Sequence, residues 1–154
     1  MKREKRGIKM NSADIRKALK KEGFGAREVS VKTTNSGFRV TVRNLAANFQ
    51  KIAEIANAAE SISRCEITGD ILAGGNTFVR VMFSDDALRP WRAQISAAMK
   101  NDEARFSNGG LLYKDDEGFF WFMMPGRESL RCWGLDNMAD RIAEEIGTFD
   151  TAAA

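Results

Sequence analysis

Ile15 and Leu19 stand four apart in a run whose other positions include Arg16, Lys17, Lys20 and Lys21. That spacing places both apolar side chains on one face and predicts a helix over Ala13–Glu22. Asn11 and Ser12 offer caps for its free amides, and Gly23 stops it, with Gly25 soon after. The period then changes. Glu28–Lys32 alternates with Val29 and Val31 inward, Asn35-Ser36-Gly37 reads as a turn, and Phe38, Val40 and Val42 alternate with Arg39, Thr41 and Arg43. Alternation on both sides of a turn predicts a hairpin. A second helix opens at Asn44 or Ala46 and carries Phe49, Ile52, Ala53, Ala56 and Ala59 at helical spacing.

The rhythm then repeats. Arg64–Thr68 reads as a short strand, Gly69-Asp70 and Gly74-Gly75-Asn76 as breaks, and Thr77–Ser84 as a strand with Val79, Val81 and Phe83 on one side. Ser84, Asp85 or Asp86 caps a third helix that buries Leu88, Trp91, Ile95, Ala98 and Met99, with Pro90 in its first turn. Gly109–Tyr113 and Gly118–Met124 flank Asp115-Asp116-Glu117, a second hairpin. Its strand Phe119–Met124 is apolar on both faces. It is either a central strand covered on both sides or one whose outer face binds something. A loop over residues 127–134 leads to a helix at Leu135–Glu145, and the tail from Thr148 reads as mobile.

Runs of hairpins between helices predict an α+β fold: a two-layer sandwich of a mainly antiparallel sheet of about six strands with four helices. The expected layout is a basic arm at 1–9, one domain at 10–147 and a flexible tail at 148–154. The alternative is two small subdomains meeting near residues 84–90.

Charge sharpens the picture. Residues 1–51 hold 14 Lys and Arg against 4 Asp and Glu, a net of +10; residues 52–154 hold 10 against 17, a net of −7. A whole-chain charge of +3 therefore hides a strong asymmetry, which points to a polyanion or an acidic protein face as partner. The 154 residues contain no histidine and two cysteines, Cys65 and Cys132. Histidine-based nucleophilic triads are excluded, and the commonest zinc and iron ligand is missing. No cofactor and no metal are expected. Met1–Met10 is basic with no apolar run behind it, so no secretory leader is expected. No stretch is long and apolar enough to span a membrane. The expectation is a cytoplasmic chain with reduced, buried cysteines.

The first candidate partner-binding set is Arg16, Lys17, Lys20 and Lys21 on helix 1 with Lys32, Arg39 and Arg43 on the first hairpin. Arg16 with Lys20, and Lys17 with Lys21, stack at four-residue spacing, where like charges repel by a few tenths of a kcal/mol. The hairpin's outer face lacks aromatics to stack on bases, so it reads as directed to phosphate or carboxylate. A solvated basic surface is the plain alternative. The second candidate is Trp121, Arg127, Arg131 and Trp133, since Trp and Arg are favoured interface anchors. Gly74-Gly75 lacks the following Lys-Ser/Thr and leads into a strand, so it is a turn and not a phosphate loop. Cys132, beside Arg131, and the acidic pairs leave a small enzyme as an alternative.

Residues 12–43, with Ser12, Ile15, Leu19-Lys20, Val29-Ser30-Val31, Ser36-Gly37, Val40 and Val42, resemble a small domain associated with large polyvalent proteins of phages and conjugative elements. The resemblance covers about a fifth of the chain and carries over no catalytic set. It implies a mobile-element origin, and by analogy of origin a protein of the anti-CRISPR or other anti-defence kind. The expected function is non-enzymatic binding to a host protein or ribonucleoprotein complex, with direct nucleic-acid binding as the alternative.

Overall fold

The structure is a computed structural model that describes residues 10–61, 66–71 and 76–151. It has the expected α+β class, but its strands form two sheets, of three and four strands, and not one sheet of about six; β1 pairs antiparallel with β2, and the four-stranded sheet is antiparallel throughout. Two compact units meet in sequence between Met82 and Phe83.

The first unit begins with α1 (Ser12–Lys21). Its start is fixed by a reciprocal cap. The Asn11 side chain accepts from the Asp14 amide at 2.9 Å, and the Asp14 carboxylate accepts from the Asn11 amide at 3.0 Å. Strands β1 (Val29–Thr34) and β2 (Gly37–Val42) pair from Val29↔Val42 to Thr34↔Gly37 around Asn35-Ser36. Val29, Val31, Val40 and Val42 are buried with Ile15 and Leu19 of α1 and with Ile52 and Ala56 of α2 (Phe49–Asn57). β3 (Phe78–Phe83) completes the order β1-β2-β3, so β1 is an edge strand.

Two expectations fail here. Helix α2 starts after Asn48, whose side chain accepts from the Lys51 amide at 3.1 Å. Asn44 instead closes a local turn by accepting from the Ala46 amide at 2.9 Å. Of the expected strand at 64–68, Arg64 and Cys65 lie outside the described residues and 66–68 form a turn. A row of three strands is completed by β3 alone.

The second unit carries α3 (Asp85–Ala98), β4 (Glu103–Arg105), β5 (Leu111–Lys114), β6 (Phe120–Met123), β7 (Leu130–Cys132) and α4 (Leu135–Glu145). The Ser84 hydroxyl caps α3 by accepting from Ala87 at 3.1 Å. Pro90 sits at the sixth helical position, one turn later than expected. Sheet order is β4-β5-β6-β7, and α4 packs on β6 and β7 and against α3. Trp91 is buried and its indole N–H donates to the Ala139 carbonyl at 2.7 Å. Arg92 spans the same helix pair with a two-pronged bond to Asp140, both arms 2.8 Å. Donation to the Asp140 carboxylate raises the guanidinium's pKa above its already high ordinary value.

Two short strands and the tail depart from expectation. β7 lies within the stretch read as a loop, and β4 lies where no element was read. Asn101 and Asp102 turn the chain into β4 with φ of 54° and 59°, a left-handed turn without glycine. Phe149, in the supposed mobile tail, packs on the core: its ring lies 5.2 Å from Trp91 and 5.0 Å from Phe106, both edge-on, and 6.0 Å from Phe122.

Candidate functional site

The basic residues of the first unit are sorted by α1 and by the register of the hairpin. Helix geometry puts Arg16, Leu19 and Lys20 on one side. Gly23 then takes φ +90°, its amide donates to Lys20 at 3.0 Å, and the Phe24 amide donates to Leu19 at 2.9 Å. This is the glycine-terminated ending that folds the next apolar side chain back onto the helix. Phe24 is thereby brought to Leu19, and with Val29 and Val31 they provide the apolar part of a cavity of about 550 Å3. Arg16, Lys20, Lys32 and Arg43 line the same cavity.

Four of the seven candidate cations thus converge. Arg16 donates to the Val31 carbonyl at 2.6 Å and Arg43 to the Ala26 carbonyl at 3.3 Å, which ties both guanidinium groups to the backbone beside the cavity. None of the ion pairs among the described residues involves any of the four. A space of 550 Å3 is about 10 Å across, and two like unit charges that far apart repel by about 0.4 kcal/mol in water and about 1.7 kcal/mol at an effective dielectric of about 20. An anion entering the cavity relieves that repulsion.

The other three are placed differently. Lys17 and Lys21 border a separate shallow hollow with Asp14 and Ala18, and Lys20 borders both spaces. Arg39 pairs directly across from Lys32 on the outer face of the hairpin, one strand in from the edge. The cationic surface is therefore continuous through Lys20 and Lys32, but it has a concave centre that periodicity alone does not show. The missed contributor is Phe24; its signal was the position immediately after the helix-ending Gly23.

The second candidate set lies on the sheet of the other unit. Register pairs Tyr113↔Trp121↔Arg131, on the face opposite the buried Leu112 and Phe122. The strand Phe119–Met124 is thus core on one side only. Phe119 and Trp133 stack at 4.2 Å, and the Arg131 guanidinium lies 4.8 Å from Phe119 and 5.6 Å from Trp121. Trp133 is 67% exposed and Met123 43%. The Trp121 indole donates to Asp115 at 2.7 Å, which holds that carboxyl below its ordinary pKa, aided by the Phe119, Glu117 and Gly118 amides of the turn. Arg127 does not join this group; it donates to the Glu145 carbonyl at the end of α4 at 3.3 Å.

Cys132 is a buried free thiol on the side of β7 that meets α4, with Arg141 Nη1 at 3.9 Å from Sγ. Among the described residues no group of three or more carboxylate and thiol side chains is arranged to hold a metal ion. No described helix is long and apolar enough to cross a membrane. The chain matches no known family model, no curated protein and no solved structure.

Proposed function

We propose that this chain is a non-enzymatic binding protein of phage or mobile-element origin. It modulates or inhibits a host nucleic-acid-handling complex in the host cytoplasm, in the anti-CRISPR or other anti-defence manner, by occupying an acidic or phosphate-bearing surface. The observation that carries this reading is the convergence of Arg16, Lys20, Lys32 and Arg43 on one apolar-floored cavity, with no ion pair to any of them among the described residues. The segment 12–43 that resembles the mobile-element domain is also the segment that supplies all four of these cations, and it builds α1, β1 and β2. The aromatic–arginine face is a secondary interface. Residues 83–154 hold 8 Lys and Arg against 13 Asp and Glu, so that face sits in an acidic setting that disfavours nucleic acid.

Affinity capture from host lysate with nuclease present tests the reading. The wild type is expected to retain a specific protein that the triple variant Lys20→Glu/Lys32→Glu/Arg43→Glu loses while melting normally. Equal capture by both removes the cavity from the account.

Direct nucleic-acid binding is the second reading, favoured by the continuation of the cationic surface from Lys20 to Lys17 and Lys21 around α1. It predicts a gel shift whose affinity falls steeply with salt; a flat response rules it out.

A further inference from the structure

The cavity lies along an unpaired backbone edge. The Arg43 amide donates to the Glu28 carbonyl at 2.6 Å, which makes Glu28 and Arg43 a hydrogen-bonded pair of the ladder. Antiparallel pairing alternates, so Ser30, Lys32 and Thr34 also bond to β2. The N–H and C=O groups of Val29, Val31 and Thr33 consequently point the other way, along the free edge of β1. Two of these groups are met within the chain: the Val29 N–H by the Gly25 carbonyl at 3.1 Å, and the Val31 carbonyl by Arg16 at 2.6 Å. The Val29 carbonyl, the Val31 N–H and both groups of Thr33 have no such partner among the described residues. Val29, Ser30, Val31 and Lys32 all line the cavity, whose opposite wall is Arg16, Leu19 and Lys20 of α1.

An edge strand facing a helix across a groove is the arrangement in which an extended peptide can add as a further strand. We propose that an extended acidic segment of a partner protein docks here as a fourth strand on β1. The proposal rests on reading the cavity as the partner site and names what that site takes. Charge complementarity identifies the occupant: the groove is lined by four cations that form no ion pair among the described residues. Its apolar floor and outward backbone groups separate a peptide from a nucleic acid, which has neither amide groups to complete the ladder nor side chains for Leu19 and Phe24. Alternation along an added strand sets the sequence pattern. Residues facing α1 are apolar and meet Leu19 and Phe24; residues facing the other way are Asp or Glu and meet Lys32. In the free protein Arg16 covers the Val31 carbonyl, a charged side chain guarding an edge from promiscuous pairing. On docking, a peptide N–H takes that carbonyl and Arg16 turns to a peptide carboxylate.

The test titrates the full chain with an acetylated, amidated hexapeptide of alternating valine and glutamate, followed by calorimetry and amide hydrogen exchange. Controls are the same peptide N-methylated at alternate residues, a valine–lysine peptide, and a short DNA duplex. The expected result is binding of the acidic peptide with exchange at Val31 and Thr33 slowed at least about tenfold, and loss of about tenfold in affinity on N-methylation. The valine–lysine peptide should not bind. Thr33→Pro, which removes one outward N–H at an exposed edge position where proline is tolerated, should weaken the acidic peptide about fivefold or more without unfolding the protein. Acidic-peptide binding with unchanged exchange at Val31 and Thr33 overturns strand addition but leaves the cationic site standing. Duplex binding without peptide binding overturns the peptide as occupant. If neither anion binds, both this inference and the proposed function fail.

Discussion

Phe149 is the side chain whose removal measures whether the end of the chain belongs to the core. Its ring meets Trp91 edge-on at 5.2 Å and 84°, meets Phe106 edge-on at 5.0 Å and 66°, and lies near-parallel to Phe122 at 6.0 Å. Favourable aromatic pairs contribute about 0.5–1.5 kcal/mol each beyond their buried area. A fully buried Phe→Ala change costs about 3–5 kcal/mol. Phe149 is only half-buried and two of its partners, Phe106 and Phe122, also pack on each other, so Phe149→Ala is expected to cost about 2–3 kcal/mol, at the lower side of those ranges. For a chain of this size that lowers Tm by about 5–10 °C. Phe149→Leu keeps aliphatic bulk but loses the edge-on geometry and should cost about 1 kcal/mol. Urea unfolding followed by tryptophan fluorescence gives both numbers. If Phe149→Ala stays within about 0.5 kcal/mol of wild type, the residue does not pack and the reasoning is refuted.

Three other outcomes follow from single positions. Gly37→Ala should destabilise the first unit by more than about 2 kcal/mol, because an added Cβ would fall on the Phe78 carbonyl oxygen and its backbone neighbours; thermal melting reads it. Asp115 has a depressed pKa in the fold, so the stability it confers is complete above the ordinary Asp pKa and is lost as pH falls through the depressed value; acid titration of tryptophan fluorescence should show a transition that Asp115→Asn abolishes. Lys20→Gln/Lys32→Gln should raise Tm by a few degrees at low salt, since it relieves repulsion around the cavity, and the gain should vanish at high salt; a salt-independent change would contradict the electrostatic account.

How much of this was legible depends on whether a signal was local. The first hairpin was readable because Val40 and Val42 repeat every second residue after an Asn-Ser-Gly turn, and α4 was readable because Met138 and Ile142 sit between a glycine before and a glycine after it. β4 and β7 were not, because three residues are too few to show alternation and the turn into β4 uses Asn101-Asp102 in place of glycine. The helix opening was read at Asn44 or Ala46, and the Asn48 cap was missed because Asn44 stands first and its side chain closes a turn of its own. For the site, i,i+4 spacing identified two cationic rows on α1 but not which row faces a cavity. That depends on the Gly23 ending that returns Phe24, and on β1 being an edge, which is decided by β3 pairing with β2 some forty residues away. The core side of β6 was ambiguous for the same reason: α4, later in the chain, covers Phe122 and leaves Trp121 on the other face.

Site-specific photo-crosslinking tests the central claim most directly. A benzophenone side chain at Ser30, on the cavity wall, is compared in nuclease-treated host lysate with one at Asn137, an exposed position on α4. The account predicts a single crosslinked protein from position 30 that disappears when Lys20, Lys32 and Arg43 are reversed to glutamate, and none from position 137. Crosslinking from position 137 alone, or a crosslink at position 30 that survives charge reversal, would contradict it.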